Sequence, residues 1–156
     1  MKLQVLGIAA SAALLAVSAR PASAQQLEGP YTYTAEMKAS KATPPIDGNA
    51  AGRAKFTLTG HMLHFEVTVS DLSGPATMAH IHVGQIGMSG PPVYTFKINK
   101  VASGKLAEGD IDLSMAASKT VSGDSLKVLI NNGSAYINVH TAKHPGGEIR
   151  GQIVKE

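Results

Sequence analysis

Two histidines at alternate positions of one short apolar segment are the residues of this sequence best placed to do chemistry. His80 and His82 flank Ile81 within residues 79–83. If this run forms a β-strand, side chains two residues apart point to the same face, about 6.5–7 Å apart along it. Two neutral imidazoles on one face can share a metal ion, and imidazole suits Cu(II) and Zn(II).

A third histidine lies on a later segment with the same alternation. Within residues 135–141, Tyr136, Asn138 and His140 fall on one face of the predicted strand. We expect His140 to join the His-x-His pair in a three-imidazole site, with His144 as a reserve ligand. Copper is favoured over zinc, and a nearby methionine, at position 78 or 88, offers Cu(I) a soft ligand.

The same polar residues also fit a purely structural network. In that alternative the three histidines hydrogen-bond with Asn138, Glu148, Arg150 and loop carbonyls, and so close one end of the fold. If Glu148 and Arg150 form a buried pair, loss of one partner costs roughly 3–5 kcal/mol. An exposed pair is worth only about 0–1 kcal/mol. The residue spacing leaves both interpretations open.

Alternating polar and apolar runs, separated by turn-forming residues, continue through most of the chain. Strands are predicted at residues 31–38, 54–59, 62–70, 78–83, 93–98, 105–113, 125–130, 135–141 and 148–154. Asn131-Asn132-Gly133 predicts a hairpin between two of them, and residues 114–121 predict a short helical turn. About eight short strands of this kind predict an all-β fold, an antiparallel Greek-key sandwich or flattened barrel.

The first 24 residues predict a secretory signal rather than part of this fold. Lys2 precedes an apolar stretch from Leu3 to Val17, and Ala22-Ser23-Ala24 offers the small residues of a cleavage site. The apolar stretch is shorter than the roughly 20 residues that cross a bilayer. We therefore expect residues 25–156 to form one periplasmic or secreted domain with no membrane span.

Composition excludes several classes of function. The 156 residues include no cysteine, which excludes disulfides, thiol catalysis and cysteine-ligated metal clusters. Loss of residues 1–24 removes Lys2 and Arg20 and leaves 12 basic against 11 acidic side chains. This near-neutral charge and an aromatic content of 4% predict no nucleic-acid binding. No G-x-S-x-G, P-loop or G-x-G-x-x-G motif occurs, so no catalytic residue is assigned.

Three stretches of the chain resemble the chordin-type (CHRD) domain family. They are residues 78–84 with the loop at 90–93, residues 135–141, and residues 145–153. The resemblance covers the chain from about residue 29 to residue 153. It implies an exported β-domain that acts as a non-enzymatic binding or structural module, with an extracytoplasmic ligand or protein as its partner.

A more distant similarity is to the secreted Cu/Zn superoxide dismutases. These enzymes also carry a His-x-His strand and a later Val-His strand on a Greek-key barrel, and His80, His82 and His140 fall on the three copper-ligand positions. The bridging imidazole, the zinc ligands and the disulfide of that family have no match in this sequence. The resemblance therefore implies a copper site rather than dismutase activity.

Overall fold

The computed structural model describes residues 29–115 and 118–156, so the predicted signal at residues 1–24 lies outside the described part. The described chain forms nine strands and one α-helix. The strands are β1 (Tyr31–Lys38), β2 (Ala51–Thr59), β3 (Met62–Ser70), β4 (Ala76–Val83), β5 (Pro92–Thr95), β6 (Gly104–Asp112), β7 (Ala135–Thr141), β8 (Ile149–Gln152) and β9 (Val154–Lys155). The helix α1 spans Gly123–Asn131, and a 3-10 turn at Ala39–Lys41 follows β1.

All strand pairs are antiparallel, and the sheet order is β5-β4-β7-β8-β1-β2-β3-β6, with β9 also pairing with β1. Strands β3 and β4 follow each other in sequence but lie apart in the sheet, as do β5 and β6, and β6 and β7. These connections therefore cross over. The resulting sheet curls into a half-barrel, which confirms the predicted all-β class.

The curl of the sheet encloses one apolar core and leaves a second, outer face. Ala79 and Ile81 of β4 are fully buried, as are Ile137 and Val139 of β7. Across the core, the ring of Phe65 on β3 packs edge to face against the ring of Phe96, the residue after β5, with ring centroids 4.8 Å apart. Because side chains alternate along a strand, the inward direction of these residues turns the histidines of β4 and β7 outward.

Residues 123–131 form the helix α1, so the strand predicted at residues 125–130 is wrong. The Ser122 Oγ caps the helix by accepting a hydrogen bond of 3.1 Å from the Ser125 backbone N–H. The larger buried residues of the helix are Leu126, Lys127 and Ile130. Ile130 follows the other two by four and three residues, so all three lie on one face, as in a helix that buries a single face. Among the described residues, no helix is long and apolar enough to span a bilayer.

The segment predicted as a hairpin turn is instead the C-terminal end of α1. Gly133 has a φ of +72° and donates to the Ile130 carbonyl at 3.2 Å, while the Ser134 N–H donates to the Leu129 carbonyl at 2.8 Å. This pair of bonds is a Schellman motif, which favours glycine after the last helical turn. The register of β7 is therefore set by its pairing with β4 and β8. The helical turn expected at residues 114–121 is also not found, since the described residues there form turns and bends.

Candidate metal centre

Strands β4, β7 and β8 lie side by side and present a continuous polar surface on the outside of the sheet. The paired residues on this surface are Met78 with His140, His80 with Asn138, His82 with Tyr136, Asn138 with Arg150, and Tyr136 with Gln152. Most of these side chains are buried in spite of facing outward, because loops fold over them. The outer face therefore forms a second, polar interior.

The three histidines predicted from sequence come together on this surface. One ring nitrogen from each of His80, His82 and His140 lies within 4.8 Å of the others. The closest pair is His80 Nδ1 and His140 Nε2, which are 3.1 Å apart. His144, the reserve ligand, is not part of this group; its backbone N–H instead donates to the Thr141 Oγ1 at 3.3 Å.

Two of the three imidazoles are oriented by backbone carbonyls. His82 Nδ1 lies 2.8 Å from the Gly90 oxygen, and His140 Nδ1 lies 2.8 Å from the Pro145 oxygen. Because a carbonyl oxygen can only accept, each Nδ1 carries the proton and the lone pair of each neutral ring is on Nε2. His82 Nε2 is buried and has no hydrogen-bond partner. Histidines that bind a metal ion through one ring nitrogen commonly donate the N–H of the other nitrogen to a carbonyl, as both Nδ1 atoms do here.

Burial favours the uncharged form of two of the three imidazoles, those of His80 and His82. Burial, together with the neighbouring His140 and His82 rings, lowers the pKa of His80 to about 4. Burial also lowers the pKa of His82, against the opposing effect of the hydrogen bond to Gly90. A metal ion must displace any proton from the nitrogen that it binds. At pH 7 protons therefore compete little with a metal ion for these two rings.

A column of stacked groups flanks His82. The Tyr136 ring lies parallel to the His82 ring, with centroids 4.9 Å apart and an interplanar angle of 10°. The Arg150 Cζ lies 3.6 Å from the Tyr136 centroid. The Tyr136 hydroxyl also accepts a hydrogen bond of 3.1 Å from the Gly90 N–H. Tyr136 therefore supports both the His82 ring and the residue whose carbonyl orients it.

Arg150 fastens the loop at residues 84–91 onto the sheet. Its side chain is 4% exposed, and Nη2 donates to the Gln85 and Met88 carbonyls at 2.9 and 2.7 Å. Its Nη1 donates to the Thr43 Oγ1 at 2.9 Å. Because the same loop carries the carbonyl that orients His82, Arg150 acts on the histidine cluster from a distance.

Glu148 lies in a separate network, so it does not form the ion pair with Arg150 that the structural alternative considers. Its carboxylate accepts from the Ser73 N–H and Oγ, both at 2.7 Å, and from the Thr141 Oγ1 at 2.6 Å. No ion pair of the described residues includes either side chain. The reason is direction: Arg150 extends across Tyr136 toward one loop, whereas Glu148 precedes β8 and contacts another.

Asn138 holds the turn that follows β7. Its Nδ2 donates to the Gly146 carbonyl at 3.2 Å, next to the Pro145 carbonyl that orients His140. Gly147 closes this turn with a φ of +115°, and a Cβ there would lie 2.2–2.5 Å from the Asn138 amide. The turn thus requires glycine for its backbone angle and for the space beside Asn138.

A second group with metal-ligand spacing lies elsewhere on the described surface. It comprises His64, Glu66 and Glu108, on β3 and β6. His64 donates to Asp110 at 3.0 Å, and both side chains are about half exposed, at 45% and 58%. Exposed carboxylates of this kind need no ion, and we assign no function to them.

Sequence reasoning found the histidines and expected loop carbonyls among their partners, but it did not identify the residues that supply them. Gly90 and Pro145 act through backbone carbonyls, which leave no side-chain pattern to read. The sequence did indicate a contact of Tyr136 with the cluster, because Tyr136 alternates with Asn138 and His140 along the predicted strand and so lies on the same face.

Comparison with known proteins matches the same region. The model of the CHRD domain family matches residues 33–153, which include all three histidines. Chordin from Xenopus laevis is 33% identical over 122 residues, and chordin from Danio rerio is 32% identical over 117 residues. Each alignment covers 71% of this chain and 12% of the chordin. The chain therefore spans a small part of these relatives.

Proposed function

This chain belongs to the CHRD family, and we propose that it is an exported, non-enzymatic binding module whose ligand is a single copper or zinc ion. His80, His82 and His140 hold the ion. The observation that carries the proposal is the buried Nε2 of His82, which has no hydrogen-bond partner among the described residues, on a ring that belongs to a group of three histidines with ring nitrogens within 4.8 Å of one another. Export is supported by the secretory pattern of residues 1–24.

In a purely structural network, the protein groups described here leave this nitrogen without a partner. Buried polar atoms in folded proteins nearly always have a partner, and an unsatisfied one costs about 1–3 kcal/mol. His82 Nδ1 is already bonded to Gly90, and no described residue satisfies Nε2. A metal ion in front of this lone pair would remove the cost, which supports the proposal.

The ligand atoms follow from the hydrogen bonds. His82 and His140 offer Nε2, because their Nδ1 atoms donate to carbonyls. His80 offers Nδ1, which lies 3.1 Å from His140 Nε2. Nitrogens bound to one ion at about 2.0–2.1 Å lie roughly 3–3.5 Å from each other, so the pair already has the separation of two ligands. Without an ion, His80 Nδ1 carries the proton and donates to His140.

Dismutase chemistry is not part of this proposal. The similarity to Cu/Zn superoxide dismutases calls for a second, bridged metal ion. Among the residues that the structure describes, no carboxylate or fourth histidine joins the His80, His82 and His140 group.

The test is metal binding by the mature protein, purified without an affinity tag. We expect one equivalent of copper or zinc per chain by elemental analysis after reconstitution and dialysis. His82→Ala and His140→Ala should each lower the metal affinity at least about 100-fold, because loss of a residue that only supports a metal ligand already lowers the affinity about 10–100-fold. His61→Ala is the matched control and should leave the affinity unchanged, because this exposed ring lies outside both groups of candidate ligands.

Two outcomes would contradict the proposal. One is wild-type protein that retains neither metal, and the other is unchanged affinity in both cluster variants. Intact-mass analysis of the protein recovered outside the cytoplasm tests export separately, since loss of residues 1–24 is expected and a retained Met1 is not.

A further inference from the structure

One methionine shares the face and the register of the three histidines. Met78 precedes His80 by two residues on β4, with the intervening Ala79 fully buried and directed inward. Across the sheet Met78 pairs directly with His140. Side chains directly opposite on neighbouring strands have Cβ atoms about 4.5–5.5 Å apart. The thioether of Met78 is therefore within reach of the point where the imidazoles converge.

Met78 also stands at the open side of the group. The Gly90 carbonyl and the Tyr136 ring close the side at His82. His80 is only partly buried, and Met78 beside it is 45% exposed. Exposure alone means little, since single apolar side chains are common on protein surfaces. Met78 differs from other exposed apolar side chains in its place in the sheet, two residues before His80 and opposite His140.

The charges around the site favour an ion of low charge. Three imidazoles and a thioether contribute no negative charge, and no carboxylate of the described chain joins the group. The Arg150 guanidinium lies 3.6 Å from the Tyr136 ring, which stacks in turn on His82. Beside this cation a monovalent ion meets about half the repulsion that a divalent ion meets.

We propose that Met78 is a fourth ligand and that the site consequently selects Cu(I) over Zn(II). Thioether sulfur is a soft ligand that favours Cu(I), whereas zinc sites in proteins use imidazole, thiolate and carboxylate. This inference rests on the three-histidine site proposed above and names its metal. The equal exposure of Met62 on β3, also 45%, provides a matched control outside the group.

The experiment measures Cu(I) affinity anaerobically by competition with a chromogenic chelator, and Zn(II) affinity by the equivalent competition. Met78→Leu should lower the Cu(I) affinity at least about tenfold, as expected for a group that supports a metal site, and leave the Zn(II) affinity unchanged. Met62→Leu should change neither. X-ray absorption of the Cu(I) protein should show a sulfur neighbour in wild type and in Met62→Leu but not in Met78→Leu.

The failures of the two proposals are distinguishable. Absence of a sulfur neighbour in the wild-type protein overturns the role of Met78 while leaving the three histidines in place. Equal loss of Cu(I) and Zn(II) affinity in Met78→Leu also overturns it, because a ligand that selects between metals should not affect both alike. If wild-type protein binds neither metal, the histidine site itself is wrong.

Discussion

Replacement of Arg150 by leucine should destabilise the protein by roughly 4 kcal/mol. The guanidinium donates to two loop carbonyls and to Thr43, and it stacks on Tyr136. Hydrogen bonds from a charged donor contribute about 1.5–3 kcal/mol each. We take the lower value for the two carbonyls, because a released loop regains water, and we count nothing for the bond to Thr43, because that residue is exposed and its hydroxyl regains water as well. The cation–π contact adds about 0.5–2 kcal/mol.

The assay is urea unfolding of the metal-free protein, in which an unchanged m-value allows the midpoint shift to be read as a change in stability. Arg53→Leu is the control. The Arg53 side chain is 61% exposed and lies 3.4 Å from Glu36, so its loss should cost about 0–1 kcal/mol. Arg150→Lys should recover less than half of the loss, because one ammonium cannot reproduce the planar stack and the several bonds of the guanidinium.

A destabilisation below about 1 kcal/mol in Arg150→Leu would refute this reasoning. It would mean that the loop at residues 84–91 is held by other contacts and that Arg150 behaves as a surface residue. Full recovery by lysine would refute the geometric part, since charge alone would then be sufficient. Metal affinity measured on the same variants shows whether the loop supports His82, and a drop of about 10–100-fold is expected in Arg150→Leu.

Three further predictions concern single sites. Gly147→Ala should cost about 1–3 kcal/mol in urea unfolding because of its positive φ and the close side-chain amide, whereas the neighbouring Gly146→Ala, with open space around its Cα, should be nearly neutral. Glu148→Gln should cost about 1–3 kcal/mol, because an amide cannot accept all three of the hydrogen bonds that the buried carboxylate accepts; Glu108→Gln at the surface should leave the midpoint unchanged. Because burial and two neighbouring imidazoles lower the pKa of His80 from 6.5 to about 4, the unfolded chain binds a proton there that the folded chain does not. The stability of the metal-free protein should therefore fall as the pH drops from about 6.5 to about 4, and His80→Gln should show a flatter dependence in the same window.

The strands could be predicted where one face is apolar and the other polar. The bounds predicted at residues 31–38, 62–70 and 135–141 agree with β1, β3 and β7, because in each case the alternation spans the whole strand. The prediction failed at residues 125–130, a short apolar run whose periodicity fits a strand or a helix. The deciding signals were a serine cap before the run and glycine after it, which mark helix ends as well as turns.

The histidine group could be predicted because strand alternation alone places His80 and His82 together. That His140 joins them depends on the pairing of β4 with β7, which is set by long-range register. The pair of Glu148 and Arg150 that the structural alternative considers is not formed, for a related reason. Alternation gives the face of the sheet on which a side chain lies. The length of that side chain and the loops that cover the face decide which group the side chain contacts.

The proposed metal site and the structural network, which the sequence presents as alternatives, draw on the same residues. Arg150 and Tyr136 hold the loop that supplies the Gly90 carbonyl, and Asn138 holds the turn beside the Pro145 carbonyl. The carbonyls take up both Nδ1 protons, and among the described residues the buried Nε2 of His82 has no partner. The groups that close this end of the fold are thus the ones that orient the imidazoles toward a common point.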